Sequence, residues 1–377
     1  MNALVVGASG VHGRRAAAEL ARSDAVSKLV LAGRDRDRLR ELEALLGGRP
    51  HIETVSMDAT NARQIADACA GIDVLVCCAG PAHTTEPACI EGAIAARTPC
   101  VTLGDDPLTA RSIGALSAAA ADSNTTIVSG CGLTPGLTNL LAVYGSRELE
   151  EVAAIEIAVA FSLRDQLGPA MVAGLLRLFS REASYISEWR DMSSRAGELP
   201  ELEYFPEPVG WVETFNCSHP EIVTLRRLFP DIRSLRYRIG LTERAGMDAI
   251  RGPAVLGLAG SDTARRVWSR ILRAIQPAVS ALPPRGAPWT GVRVDVRGQV
   301  DGRSITISLG VADHLANLVA TTVAYAALEL GSGHFVRPGI WAPEDAVDPA
   351  ALLSFLYARG MRVARLTPEL FEAPTRS

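Results

Sequence analysis

The chain has no C-x-x-C pair and no cysteine–histidine spacing suited to zinc, although it holds seven cysteines: Cys69, Cys77, Cys78, Cys89, Cys100, Cys131 and Cys217. Most of them stand among apolar residues, where a reduced thiol behaves as a small hydrophobe. Neither a disulfide framework nor a metal site is expected. Aromatic residues make up only 5% of the sequence, too few for a dedicated stacking platform. Charge of one sign is also missing: 38 basic and 42 acidic side chains are dispersed along the chain and leave a net charge of −4. The densest basic run, Arg34-Asp35-Arg36-Asp37-Arg38, is interrupted by acids. No field of the kind that holds nucleic acid or an anionic membrane follows from such a distribution. The most apolar late stretch, Leu315 to Leu330, contains Asn317 and Glu329 and is flanked by Asp313 and His314, so it reads as a buried helix, not a bilayer span. Met1 is followed almost at once by Leu4-Val5-Val6-Gly7, without the regions of a signal peptide, which predicts a cytoplasmic protein. The partner left by these exclusions is a small molecule.

What is present is length and rhythm. A chain of 377 residues with 48% hydrophobic content suffices for two packed cores. The apolar run at 3–6 leads through a glycine-rich turn into an alanine-rich helix to about Arg22, then into Lys28-Leu29-Val30-Leu31-Ala32. The pattern repeats with a helix at 35–47, a strand at 51–56, a helix at 61–70, the run Asp73 to Cys78, a helix at 86–96, a strand from Thr98 to Leu103, a helix at 107–122 and a strand from Thr125 to Ser129. Apolar runs that alternate with helices and do not themselves alternate in polarity predict a doubly wound parallel sheet, a Rossmann-type α/β fold. Beyond Gly136 the rhythm changes. Strands are predicted at Val152 to Phe161 and Val209 to Phe215. A hairpin is predicted where Val292, Val294 and Val296 and then Ile305, Ile307 and Leu309 alternate with polar residues around Asp301-Gly302. Pro283-Pro284-Arg285-Gly286 reads as a loop before it.

The turn Gly7-Ala8-Ser9-Gly10-Val11-His12-Gly13 joins the first strand to the first helix. Glycine there allows a tight turn, close approach of backbone to a pyrophosphate, and close packing of helix on strand, while the helix N-terminus offers free N–H groups to phosphate. A strand–helix turn without a ligand has the same outline, but the β-α-β context favours dinucleotide binding. The second strand ends in Gly33-Arg34-Asp35 where an NAD site usually has an acid, so Arg34 is placed to pair with a 2′-phosphate and NADP(H) is the expected cofactor. The alternative is a solvated Arg34 with Asp35 on the ribose. Asp58-Ala59 is expected to border the adenine, Ser9 to bond a phosphate oxygen, and Ala79-Gly80-Pro81 to pass close to the nicotinamide half.

At Gly132-Leu133-Thr134-Pro135-Gly136-Leu137-Thr138-Asn139, at Phe229-Pro230-Asp231, and in the late Arg337-Pro338-Gly339-Ile340-Trp341-Ala342-Pro343-Glu344, the sequence resembles the saccharopine dehydrogenase-like family, in the layout of its lysine 6-dehydrogenase and saccharopine reductase branches. The resemblance implies a Rossmann domain at 1–133 completed by 313–377 and interrupted by an inserted α+β domain at 134–312 with a mixed or antiparallel sheet, often the dimer interface, so a homodimer is expected. It also implies hydride transfer between a nicotinamide cofactor and a C–N bond of an amino-acid-like or polyamine-like substrate. Gly33-Arg34 departs from the acid of the lysine 6-dehydrogenase branch. The segment Thr214 to Glu221 departs from its Ser/Thr-rich stretch.

Hydride transfer needs one group to manage a proton. His219, in a Pro-flanked loop of the second domain expected to face the cleft, has a suitable pKa range, and a loop histidine that only caps is the alternative. Asp105, after the fifth strand, stands where open α/β sheets bind ligands and suits a substrate ammonium, or else it caps a helix starting near Pro107, a role for which Asp106 competes. His83 either approaches the nicotinamide or caps the helix at 86–96. Thr134, Pro135, Gly136 and Asn139 place a helix N-terminus for a substrate carboxylate, or simply start a helix. Arg244, Tyr144 and Trp211 are weaker candidates. Two other activities stay open on the sequence: enoyl or carbonyl reduction with NADPH, and NADPH binding without turnover.

Overall fold

The computed structural model describes residues 1–366 apart from 49, 106–108, 110–111, 166–168 and 282–286. The chain divides into two compact units, Met1–Leu140 with Ala316–Phe355, and Leu141–Leu315 with the segment from Leu356. No helix among the described residues is long and apolar enough to cross a membrane.

The first unit is built on a seven-stranded parallel sheet. Its strands are β1 (Asn2–Val6), β2 (Lys28–Gly33), β3 (His51–Ser56), β4 (Val74–Cys77), β5 (Cys100–Thr102), β6 (Thr126–Val128) and β15 (Gly339–Trp341), in the order β15-β6-β5-β4-β1-β2-β3. β1, β2 and β4 are buried along nearly their whole length, which is why their sequences are unbroken apolar runs. Their side chains Leu4, Val6, Val30, Ala32, Leu75 and Cys77 form one core with Ile65, Cys89, Ile90 and Ala93 of the flanking helices. The strand order reverses between β1 and β4, so the crevice at their carboxyl ends is the topological switch point.

The second unit holds a nine-stranded mixed sheet. It comprises β7 (Glu151–Phe161), β8 (Glu182–Ser187), β9 (Arg190–Arg195), β10 (Glu201–Phe205), β11 (Gly210–Asn216), β12 (Ser234–Leu241), β13 (Thr290–Val300), β14 (Arg303–Asp313) and β16 (Ala364–Arg365). β7 and β12 run parallel and the other pairings are antiparallel. Register sorts the two faces by chemistry. Leu235, Ile155, Val296 and Ile307 form one cross-strand row, Tyr237, Ile157, Val294 and Leu309 the next, and Ile239, Val159, Val292 and Val311 the third, all buried. The residues between them make the opposite face: Arg236, Glu156 and Asp295 in one row, Arg238, Ala158 and Arg293 in another. The predicted hairpin is β13–β14, and its turn residues Asp301 and Gly302 both have positive φ, as a two-residue turn of matching twist requires.

Two boundaries differ from expectation. The return segment does not complete the first unit to its end: the chain leaves at Phe355, and Leu309 and Gly310 of β14 pair with Arg365 and Ala364 of β16, so its last described strand lies in the second sheet. The helix expected at 86–96 begins at Ala82, so His83 lies inside its first turn instead of capping it from outside. Of the helix expected at 107–122, a 3-10 turn at Gly114–Leu116 and a helix at Ser117–Asp122 are seen, while Asp106 and Pro107 lie outside the described residues, as do 283–286.

Candidate functional site

The glycine turn after β1 is held from below. Gly7 and Ala8 both donate to Ala32 O of β2, at 2.8 and 3.0 Å, and Gly10 donates to Gly7 O at 2.9 Å. Gly7 has φ +83, and a Cβ on it would lie 2.6 Å from Ala79 N, so the turns after β1 and β4 meet backbone to backbone. A Cβ on Gly13 would lie 2.1 Å from Gly7 O, which lets the helix Val11–Ala21 sit directly on the strand. Gly10 is that helix's N-cap and makes no side-chain cap bond. The helix therefore presents its first N–H groups and its positive end at the switch point, in a cradle any side chain would crowd. A second helix, Ala82–Ala96, starts at Pro81, again without a side-chain cap bond, just after β4. The residues present thus fit a dinucleotide pyrophosphate.

The ends of β2 and β3 complete the adenosine side. A Cβ on Gly33 would meet Ser9 Oγ at 3.4 Å, so these two expected contacts are neighbours. Asp35 is the N-cap of the helix Arg36–Leu46: Arg38 N donates to its Oδ1 at 3.2 Å, and Arg38 Nε stands 3.4 Å from Oδ2. Its carboxylate already serves the helix, which favours the Arg34 reading over a ribose contact. Arg34 is exposed and lies close enough to Asp58 to act on it. The Asp58 carboxyl is held below the usual carboxylate range by the Thr60 N–H and hydroxyl, at 3.0 and 2.9 Å, and then by the Arg34 charge. Ala59 packs against the core of this unit.

At the carboxyl ends of β5 and β6 the structure gathers Asp105, Gly104, Gly130 and the 132–139 segment. A Cβ on Gly130 would meet Pro135 Cγ at 2.8 Å and Gly104 O at 3.5 Å. Asp105 is exposed there. Asn139 is fully buried and its Oδ1 accepts the Gly136 N–H at 3.1 Å, while Gly132 N donates to Pro135 O at 3.0 Å and Leu137 N to Gly132 O at 3.1 Å. Pro135, Gly136 and Asn139 are thereby tied into their own turn, and of this group only Thr134 is partly exposed.

Glu86 was not legible as a functional residue. It is 2% exposed, and its Oε1 accepts Thr102 Oγ1 at 2.5 Å and Ser129 Oγ at 2.8 Å, tying the helix after β4 to β5 and to the residue following β6. A Cβ at 104 would lie 2.1 Å from Glu86 Oε2, so Gly104 leaves the room that this carboxylate fills. The available signal was an acid in register with the buried Ile90 and Ala93 of its helix. The neighbouring cysteines are free thiols. Burial pushes Cys69 up to about 11, and Cys78, Cys100 and Cys131 further, so they pack as hydrophobes.

Within the second unit, His219 is buried, contrary to the expected open placement. Its ring stacks on Tyr237 at 4.3 Å between centroids, and its Nδ1 pairs with the fully buried Glu221. A second histidine was overlooked because it flanks a helix: His314, half exposed, has Nδ1 3.2 Å from Asp165 Oδ1, while Asp165 Oδ2 accepts the Leu315 N–H at 2.7 Å. Of the weaker candidates, Arg244 is exposed beside Glu213, and Trp211 packs edge-on against Tyr204. Tyr144 is partly buried in the helix Leu137–Ser146. The carboxylates of Glu156, Glu201 and Glu203 converge on the charged face, and arginines occupy them: Arg297 on Glu156 at 3.3 Å, Arg238 on Glu201 at 3.0 Å, Arg293 on Glu203 at 3.5 Å. Burial, opposed by Arg293 and aided by Glu201 and Asp295, raises the Glu203 carboxyl to about 7.

Comparison with known proteins agrees with this geometry. The family model of the saccharopine dehydrogenase NADP binding domain matches residues 3–128. Among solved structures, the apo saccharopine dehydrogenase (L-Glu forming) of Saccharomyces cerevisiae aligns over 97% of this chain and 100% of its own at 16% identity and a TM-score of 0.70, which shows a shared fold. The DAP dehydrogenase of C. glutamicum, solved in complex with DAP, aligns over 95% of this chain and 98% of its own at 14% identity and a TM-score of 0.43, a likeness too weak to decide anything. The first unit thus carries a match to the saccharopine dehydrogenase NADP binding domain, and the chain as a whole shares the fold of the yeast saccharopine dehydrogenase.

Proposed function

We propose that the chain is an NADP(H)-dependent oxidoreductase acting at a C–N bond, an imine reductase or amine dehydrogenase for an amino-acid-like or polyamine-like substrate. The observation that carries this reading is the uncapped helix start at Gly10, set on the Gly7–Ala79 backbone contact inside a domain matched by the saccharopine dehydrogenase family. When bound, the cofactor supplies or accepts the hydride at the substrate carbon. The chain's part is to hold and to exclude. Gly7, Gly10, Val11, His12 and Gly13 form the pyrophosphate cradle with Ser9, Arg34 takes the 2′-phosphate, and Ala79-Gly80-Pro81 borders the nicotinamide half. Asp105, an exposed carboxylate at the carboxyl edge of the sheet, holds a substrate ammonium. The exposed His83 in the first turn after β4 is the proton-handling candidate of this unit, with His219 and His314 the candidates of the other.

The test is NADPH consumption with a cyclic imine such as a piperideine carboxylate, set against enals and ketones, together with NADP+ reduction by diamines and amino acids. Turnover of the imine, with Asp105→Asn raising KM more than it lowers kcat, is the expected result. Reduction of C=C or C=O substrates alone would reject the C–N assignment. Tight NADPH binding with no turnover of any class would reject catalysis.

A further inference from the structure

The helix Asp262–Ser280 of the second unit faces inward with one side only. Leu272 is buried, Gln276 Nε2 donates to Leu163 O at 2.7 Å, and Trp268 Nε1 donates to Leu258 O at 3.1 Å. The same apolar face runs on to the surface, with Ile275 bordering Leu272, Leu163 and Ile250. Val267, Ile271 and Ile275, spaced one helical turn apart, are 48%, 41% and 40% exposed. Leu256 and Leu258, 73% and 52% exposed, extend the same surface, since the Trp268 bond anchors their turn to the helix. An outward stripe of β-branched residues backed by a second exposed turn is more contiguous apolar surface than isolated exposed residues make, and marks a contact surface.

The charges around the stripe say what kind of surface it meets. Within the helix, Asp262 at its start is the one acid against four arginines, Arg265, Arg266, Arg270 and Arg273, in a chain whose net charge is −4. Arg266 and Arg270 are exposed and flank Val267 and Ile271 directly. A two-fold contact between copies of this helix would bring two such arginine-bearing helices together. We propose that this face docks on an anionic lipid surface, lying in the interface with Val267, Ile271 and Ile275 among the acyl chains and Arg266 and Arg270 on the headgroups. An amphipathic helix whose charged residues after Asp262 are all arginine has the composition of such an anchor, and its low apolar content limits it to reversible attachment.

Full-length protein is co-sedimented with vesicles of phosphatidylserine mixed into phosphatidylcholine and with vesicles of phosphatidylcholine alone. Binding to the first, loss of it in high salt, and little binding to the second are expected. Arg266→Gln with Arg270→Gln should weaken partitioning roughly 20-fold, the effect of two basic residues at an anionic surface. Ile271→Ser with Ile275→Ser should bring it to background. These four side chains are exposed, and a melting curve matching wild type verifies the fold of each variant. Absence of binding to the anionic vesicles, or equal binding by both double variants, overturns the proposal. So does a wild-type dimer in analytical ultracentrifugation that becomes monomeric with Ile271→Ser and Ile275→Ser and ignores lipid, because the stripe is then an interface between copies.

Discussion

Replacing Arg34 by alanine separates the two phosphate demands made on the site. On the proposed reading the pyrophosphate is served by backbone groups of Gly10 and the first helical turn, which the substitution leaves untouched. Only the 2′-phosphate loses a partner. A charge-assisted hydrogen bond contributes about 1.5–3 kcal/mol when sheltered, but the Arg34 side chain is exposed, so solvent screening lowers the expected loss to roughly 1–2 kcal/mol. That is about a 5- to 30-fold weaker Kd for NADPH. NADH, which lacks the phosphate, should change less than about two-fold by the same reasoning. Asp58 moves the NADPH figure toward the upper end. Arg34 currently offsets its negative charge, and without it that carboxylate faces the incoming phosphate unscreened. Asp58→Asn on top of Arg34→Ala should therefore recover part of the NADPH affinity while leaving NADH alone. Titration of cofactor fluorescence at two ionic strengths reads both constants, and the NADPH penalty should shrink at high salt. Equal losses for the two cofactors, or a selective loss for Asp35→Ala in place of Arg34→Ala, would refute the assignment of the 2′-phosphate to Arg34.

Gly13→Ala forces a methyl to within 2.1 Å of Gly7 O, so the first helix must lift from β1; roughly 1–3 kcal/mol of stability and most of the cofactor affinity should go, seen by thermal melting and fluorescence. Gly114→Ala, where an added Cβ meets nothing within 4 Å, is the matched control and should leave both readings unchanged. Glu203 predicts a pH dependence. Its folded pKa of about 7 lies above the unfolded carboxylate value, so the folded state is the one that binds the proton more tightly. Stability should fall as pH rises from about 4.5 to about 7, by roughly 3 kcal/mol from this group alone, and Glu203→Gln should flatten the melting temperature across that window. A slope unchanged in the variant would remove Glu203 as its source.

The first unit was legible because its strands are buried on both faces. Leu4 to Val6, Leu29 to Ala32 and Val74 to Cys77 read as continuous apolar runs whatever the surroundings, and the glycine turn has a backbone reason for each of its glycines. The start of the helix at Ala82 was obscured by Pro87, which suggests a first helical turn but lies in the second, where its ring has no N–H for the His83 carbonyl. In the second unit, β7, β11 and the β13–β14 hairpin show their alternation, while β9 buries almost nothing and so carries no pattern to read. The turn joining β8 to β9 hides as well, since its positive φ values fall on Glu188 and Trp189 and not on glycine. Glu86 and the Asp165–His314 pair escaped for another reason. Their partners are 16 to 149 residues away, and sequence pattern reports local periodicity, not which distant hydroxyl or imidazole a carboxylate will meet.

The discontinuity of the first unit sets the order in which the protein can be made. When residues 1–140 have left the ribosome, the nucleotide-binding sheet has six of its seven strands, and β6 presents an open edge until Gly339–Trp341 is synthesised. The helix Leu315–Gly331, whose Gly331 packs against Met1 and Val74, arrives equally late. Through that interval the nascent chain carries an unpaired parallel edge, a template for pairing with a neighbouring polypeptide. Truncation before residue 316 should freeze the protein in that state, giving an aggregation-prone fragment and not a free-standing cofactor module.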